Sequence, residues 1–457
     1  MAAREHFSSR LGFVLIAAGC AIGLGNIWRF PYIAGQYGGA LFVVMYIVFL
    51  LAVGVPILSM ELAVGRASRL SAARAFVNLH PGSHRGWRCS SYLMMCGNYV
   101  LMSFYCVVTG WMLNYCLRSF GGEFTDPHDA RQAGAVFARM LAAPWEMLAT
   151  TCAVVILGFA VCAMGVRRGV ERVTKPMMII LLLLLVLLAV HSAFLPGFSQ
   201  GLSYYLRPSL SFLQDHGWRG LVEILSAALT QAFFTLSVGI GCIQIFGTYM
   251  SRERTLLSES LTIMLLDTAV ALLAGFIIFP ACFSFGVEPD QGPQLIFVTL
   301  VSIFSSMSAG WLWGGLFFTF MFFAAMSTTI AVFENIIAMG MELLGISRKR
   351  SVMLNTILML PLCLPCILGF NVLADFQPLG DGSTILDLED FLISGNILPL
   401  GALCYAIFIT WRGGWGFDSF LTEVNAGRGL RLSRRFGWYF RVMLPLLIAA
   451  LFAGYLL

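Results

Sequence analysis

Gly19-Cys20-Ala21-Ile22-Gly23-Leu24-Gly25-Asn26-Ile27-Trp28-Arg29-Phe30-Pro31 lies inside an apolar run long enough to cross a bilayer, yet it carries three closely spaced glycines, an Asn and an Arg. Glycine in a helix interior costs roughly 1 kcal/mol relative to alanine, so this spacing predicts a helix that stops and restarts. A break exposes backbone groups. Within hydrocarbon these are tolerated only where protein or a water-filled cavity surrounds them, and there freed carbonyls and a restarted N-terminus can bind ions. The stretch reads as a binding site.

The surrounding composition agrees. The 457-residue chain is 59% hydrophobic and only 11% charged, with a mean hydropathy of +0.85. These values exclude a soluble globular domain and predict a polytopic membrane protein. Most of the twelve cysteines sit singly in apolar runs, where Cys acts as a small hydrophobe. Cys363 and Cys366 have CxxC spacing but sit beside Pro361 and Pro365 with no histidine near them, which argues against zinc or redox use. No cleavable signal peptide is expected, since the first apolar segment is too long and too polar at its centre.

Apolar runs of spanning length fall at 11–37, 40–65, 89–120, 146–164, 173–195, 219–249, 258–285, 311–344, 351–373, 389–411 and 437–456, eleven in all. With a cytoplasmic N-terminus, 22 of the 28 Lys and Arg residues face inward. The positive-inside rule therefore predicts an inner N-terminus and an outer C-terminus in a bacterial-type plasma (inner) membrane. The sixth run contains Gln231-Ala232-Phe233-Phe234-Thr235-Leu236-Ser237-Val238-Gly239-Ile240-Gly241, a second glycine and hydroxyl cluster at mid-span. Two interrupted helices in equivalent positions suggest inverted repeats. Residues 1–457 then form one transmembrane domain: a first five-helix repeat over 11–195, a second over 219–411, and a peripheral helix at 437–456.

The run Gly23 to Pro31, the Arg4-Glu5-His6 and Arg10-Leu11-Gly12 sequences, and Gln231 to Gly241 together resemble the neurotransmitter:sodium symporter family, of the bacterial LeuT type. The resemblance covers nearly the whole chain. It implies an all-α fold with a 5+5 inverted repeat and broken helices one and six, two sodium sites, and an amino-acid substrate.

For the first sodium the resemblance implies the carbonyl of Ala21, Asn26, Thr235 and Asp267. For the second it implies the carbonyls of Gly19, Ile22 and Ala324 and the hydroxyls of Ser327 and Thr328. Hard oxygen ligands of this kind suit sodium, and an Asp in the apolar seventh span costs several kcal/mol unless paired. Chloride-dependent relatives place their anion where this chain has Tyr46, Gln231, Thr235, Asp267 and Ala271. Ala271 offers no polar group and Asp267 already supplies a negative charge, so chloride is not expected to be required.

The same resemblance places the substrate against Ala21, Gly23, Leu24, Gly25, Leu101, Tyr105, Phe234, Thr235, Ser237, Ile240, Thr328 and Val332. Glycine at position 23 resembles amino-acid carriers, because amine carriers place an acid there. The mostly apolar, uncharged lining favours a neutral hydrophobic or aromatic amino acid. Arg29 and Asp390, with Tyr105 and Phe234, form the expected outer gate. Arg4, Phe7, Tyr249, Glu334 and Glu342 form the inner one.

The implied function is sodium-coupled symport by alternating access. A non-transporting amino-acid sensor on the same scaffold, and proton coupling through Asp267, are the alternatives. No nucleophile motif, phosphate loop or metal spacing points to an enzyme. Beyond the lipid bilayer, neither nucleic acid nor an obligatory protein partner is indicated.

Overall fold

The computed structural model describes residues 7, 9–80, 85–124, 130–286 and 294–456. Among them every long element is a helix, with two isolated bridges, Gly39 to Pro208 and Arg254 to Arg428. Hydrocarbon imposes this choice, because a lipid-facing segment must pair its own N–H and C=O groups.

The first predicted span is two helices, α1 (Arg10–Ala21) and α2 (Gly25–Gln36), bent by 56°. Next come α3 (Ala40–Ser68), α4 (Gly86–Phe120), α5 (Pro144–Ala163) and α6 (Val166–Ala193). The sixth span is again two pieces, α7 (Ser211–Thr235) and α8 (Cys242–Gly247). It is followed by α9 (Leu256–Ser284), α10 (Gly310–Leu344), α11 (Arg348–Leu368) and α12 (Ile385–Thr410). A short α13 (Phe417–Val424) and a terminal α14 (Leu444–Leu456) complete the described chain.

Among the described residues, eight helices are long and apolar enough to cross a membrane, nine when α1 and α2 count as one bent span. Of the other two runs, 219–249 is divided after Thr235, and 437–456 is helical through a π-turn at Tyr439–Met443 into Leu444–Leu456. Two boundaries differ from the hydropathy reading. The tenth helix starts at Ile385 rather than 389, because Thr384 and Asp387 form a reciprocal capping box. The sixth starts at Ser211, where a polar turn precedes a kink at Gly217.

Most of α4 and α10 is buried, and the two pack against each other. By contrast α6 and α11 present Leu183, Val186, Val190, Met353 and Ile357 outward, as lipid-facing helices do. Lipid tails are as apolar as leucine, so close packing rather than water expulsion joins such helices. The approach of α3 to α8 is of this kind. A Cβ on Gly65 would lie 2.0 Å from the Gln244 carbonyl oxygen, and one on Gly247 2.5 Å from that of Leu62. Next to this contact the buried Arg66 pairs with Glu423 of α13 at 2.6 Å and donates to the Arg254 carbonyl at 2.9 Å.

The start of α1 is anchored separately. Ser9 Oγ caps it by accepting from the Gly12 N–H at 3.1 Å. Arg10 Nε donates to the buried Glu259 carboxylate of α9 at 2.9 Å. Gly12 leaves room for Glu171 of α6, whose Oε1 would lie 2.2 Å from any Cβ there.

Two outcomes are expected from these contacts. Gly65→Val overpacks the α3–α8 contact and lowers stability by about 1–3 kcal/mol, read as an earlier loss of the monodisperse peak when detergent-purified protein is heated. Arg10→Gln leaves Glu259 buried without its cation and lowers stability by roughly 1–3 kcal/mol. Arg10→Gln with Glu259→Gln should recover most of that loss, and a double variant no better than the single one contradicts the pairing.

Candidate functional site

Both helix interruptions free backbone groups, and the two breaks face each other so that neighbouring side chains take them up. After α7 the chain passes through positive φ at Ser237 (51°), Gly239 (104°) and Gly241 (70°). A left-handed Ser is uncommon and costs energy that a glycine would avoid. Its hydroxyl donates to the Cys20 carbonyl at 3.1 Å, across to the end of α1. The Gly239 N–H donates to the buried Glu61 carboxylate, and Asn98 Nδ2 donates to the Ile240 carbonyl at 2.8 Å. On the first break, the Gly23 N–H donates to Asn26 Oδ1 at 3.1 Å and the Leu24 N–H to the Tyr105 hydroxyl at 3.2 Å. Gln231 Nε2 donates to the Gly25 carbonyl at 2.8 Å.

Two oxygen clusters flank these breaks. In the first, the fully buried Asp267 of α9 accepts from Asn26 Nδ2 at 2.8 Å on one carboxylate oxygen and from the Thr235 hydroxyl at 2.9 Å on the other. Tyr46 and Gln231 are buried with it, and the Tyr46 hydroxyl and Gln231 Oε1 have no hydrogen-bond partner among the described residues. In the second, Ser327 and Thr328 of α10 donate to the Gly19 carbonyl at 2.9 and 3.2 Å. Thr328 also approaches the carbonyls of Ile22 and Ala324, each at 3.4 Å, and Ser327 donates to Ala324 at 2.9 Å. All five residues expected together are therefore in contact.

The second set is oxygen only, and the first offers the carboxylate of Asp267, the Thr235 hydroxyl and the Asn26 amide, with no thiolate or imidazole in either, which fits a hard cation such as sodium and not a thiophilic metal. Among the described residues no group of three or more His, Cys, Asp or Glu could hold a metal.

Between the clusters lies a small enclosed cavity of about 20 Å³, lined by Ala21, Gly23, Gly25, Leu101, Tyr105, Phe234, Ser237, Ile240, Thr328 and Leu398. That space holds roughly one water, so any larger occupant requires its walls to part. No ionised side chain lines it. A Cβ on Gly23 would stand 2.5 Å from the Tyr105 hydroxyl and 2.9 Å from that of Thr328. Three expected residues are placed elsewhere: Leu24 faces the outer cavity, Thr235 points to Asp267, and Val332 is buried in α10 away from the lining.

Tyr105 and Phe234 separate this cavity from an outer one of about 560 Å³. The Arg29 guanidinium sits 4.9 Å from the Phe234 ring centroid and 3.6 Å from Asp390. Ser394 links the pair, accepting from Arg29 at 3.1 Å and donating to Asp390 at 2.6 Å. At the opposite end, Phe7 meets Tyr249 edge-on at 5.7 Å between ring centroids, and the Tyr249 hydroxyl donates to Glu334 at 2.9 Å. Glu342 accepts from the Ser71 N–H and hydroxyl at 2.9 and 2.7 Å. Arg4 lies outside the described residues.

Several neighbours escaped the sequence reading. Arg348 pairs with Glu334, Leu398 closes the cavity, and the Cys20 and Cys242 sulfurs lie 3.1 Å apart across the two breaks. Glu61 and Asn98 had a signal that was passed over, namely a polar side chain inside an apolar span. Arg348 and Leu398 had none, because loop-proximal arginines and lone apolar residues are ordinary in a membrane protein, and Ser394 offered only a lone hydroxyl, which in a helix commonly bonds back to its own backbone.

Comparison with known proteins agrees with this geometry. The chain matches the model of the sodium:neurotransmitter symporter family over residues 4–129 and 137–457. The sodium-dependent transporter YhdH of Bacillus subtilis is 33% identical over 449 residues, covering 98% of this chain and 96% of that one. A sodium-dependent transporter of Haemophilus influenzae is 30% identical over 461 residues, covering 98% and 97%. Among solved structures, that of MhsT in complex with L-phenylalanine superposes with a TM-score of 0.89 at 35% identity, over 99% of this chain and 100% of that one. With its broken helices and oxygen-lined centre, the chain belongs to the sodium:neurotransmitter symporter family and is a sodium-dependent membrane transporter of LeuT-type fold, not an enzyme.

Proposed function

We propose that the protein couples sodium entry to uptake of a neutral, hydrophobic or aromatic L-amino acid by alternating access. The observation that carries this reading is the contact of Asp267 with Asn26 and Thr235 beside an uncharged cavity at two facing helix breaks. One sodium is held by the Ala21 carbonyl, Asn26, Thr235 and Asp267, a second by Gly19, Ile22, Ala324, Ser327 and Thr328. The substrate carboxylate lies at the Leu24–Gly25 backbone and Tyr105, sharing the first sodium, so each ligand raises the affinity for the other. Leu101, Phe234, Ile240 and Leu398 receive the apolar side chain, and the similarity to a transporter solved with L-phenylalanine supports that class.

Chloride has little to hold it. The Gln231 amide N–H group is engaged by the Gly25 carbonyl, Ala271 has no polar side-chain atom, and the Asp267 carboxylate occupies the anionic role. Sodium entering a negative-inside cell gains about 2.3 kcal/mol per 100 mV. That drive serves inward transport if the N-terminus is cytoplasmic and the helices make eleven spans in the plasma membrane, with repeats over 11–195 and 219–411. Arg29 with Asp390 and the Phe7–Tyr249–Glu334 group, joined by Arg4 and Glu342, act as outer and inner gates. A half-exposed ion pair contributes only up to about 1 kcal/mol, which suits a contact that breaks in every cycle.

Protein in liposomes should accumulate labelled leucine, phenylalanine, tyrosine or tryptophan only with an inward sodium gradient, and Asp267→Ala should cut the initial rate roughly ten- to a hundredfold. Sodium-dependent binding without accumulation would mean a sensor, and accumulation indifferent to sodium would mean proton coupling. Replacing chloride with gluconate should leave the rate nearly unchanged. A fall of more than about fivefold, equivalent to about 1 kcal/mol, would show that an anion is needed after all.

A further inference from the structure

The tight turn from α5 into α6 shapes a groove of about 520 Å³ that none of the transport chemistry uses. It runs from Met164 past Arg168 and Arg172 to Val173, Met177 and Ile180. Gly165, at φ 92°, makes the turn, and Pro176 sits inside α6, where it has no N–H to give the preceding turn. Arg168 and Arg172 are four residues apart and exposed, and neither has an ion-pair partner among the described residues. Above them, α6 continues as an exposed apolar stripe through Ile180, Leu183, Leu187 and Val190.

We infer that this groove is a binding site for one anionic phospholipid, with the phosphate between Arg168 and Arg172 and an acyl chain along Ile180, Leu183 and Leu187. Positive-inside orientation accounts for arginines anywhere at this membrane face. It does not account for two unpaired guanidiniums at the foot of a continuous apolar track, in one groove with apolar walls. A free phosphate matches the arginines but leaves the walls and stripe unused, whereas a phospholipid matches both. The same turn carries Glu171, which packs against Gly12 at the start of α1, so a bound headgroup loads the segment that braces the first broken helix. The inference rests on the membrane placement of α6, and it is independent of which amino acid is carried.

The test is lipid binding to delipidated full-length protein, measured by native mass spectrometry with phosphatidylglycerol, phosphatidylcholine and inorganic phosphate as separate probes. Each arginine near an anionic headgroup contributes about fivefold in affinity, so phosphatidylglycerol should bind roughly thirtyfold more tightly than phosphatidylcholine. Arg168→Gln with Arg172→Gln should abolish that preference, and Arg168→Lys with Arg172→Lys should retain most of it. Val173→Trp, which fills the groove and keeps both charges, should abolish it as well, and serves if the glutamine variant does not fold. A preference that persists in the folded glutamine or tryptophan variant overturns the site. Full competition by millimolar inorganic phosphate overturns the assignment to lipid. Because the readout is binding, failure of the symport reading leaves it intact, and its own failure leaves symport intact.

Discussion

Within a bilayer every backbone N–H and C=O must find a partner in the protein, and this constraint shapes the centre of the molecule. Two helices are broken at mid-membrane, so their freed groups must be met by side chains from elsewhere. Glu61 of α3, Asn98 and Tyr105 of α4, and Gln231 and Ser237 of the sixth span each meet one of them. The helices that supply these groups are thereby held in register around the breaks. Ser327 and Thr328 meet the freed Gly19 carbonyl in one oxygen cluster, and Asp267 and Thr235 form the other beside Asn26.

That arrangement accounts for how a chain with so few charges can handle ions in hydrocarbon. Asp267 is the one carboxylate in direct contact with the first break among the described residues, and it is held by an amide and a hydroxyl rather than by an arginine or lysine. A carboxylate buried without a cationic side chain is costly. Under the symport reading proposed above, a sodium ion supplies the countercharge, which ties its binding to the geometry of the first and seventh helices.

The surroundings divide into rigid and yielding contacts. Backbone-to-backbone packing of α3 on α8, and the buried Arg66–Glu423 pair, have no slack and define a fixed body. Arg29 with Asp390, Phe7 with Tyr249 and Arg10 with Glu259 are part-exposed, each joining a segment near the first break to a helix outside it. In the alternating-access cycle proposed above, movement of either half of the first span breaks such contacts at one membrane face at a time. The enclosed cavity lies between those faces and is too small for an amino acid until its walls separate.

Hydropathy runs, the basic-residue asymmetry and the glycines at 19 to 25 and 239 to 241 determined by themselves that this is a helical membrane protein with two interrupted spans, because bilayer thickness and backbone strain act on local sequence. The family resemblance also grouped Asn26 with Asp267, and Ser327 and Thr328 with Gly19, and the helices bring each group into contact. Tertiary structure alone decided what depends on rotation and approach: that Leu24 turns outward and Val332 away, that Leu398 closes the cavity, and that Ser394 bridges Arg29 to Asp390. It alone also left Arg168 and Arg172 lining a groove without an ion-pair partner among the described residues. A one-dimensional pattern records which residues are apolar or polar. It does not record which side of a helix meets which neighbour, and in a bundle packed without hydrophobic contrast that choice rests on close steric fit between distant segments.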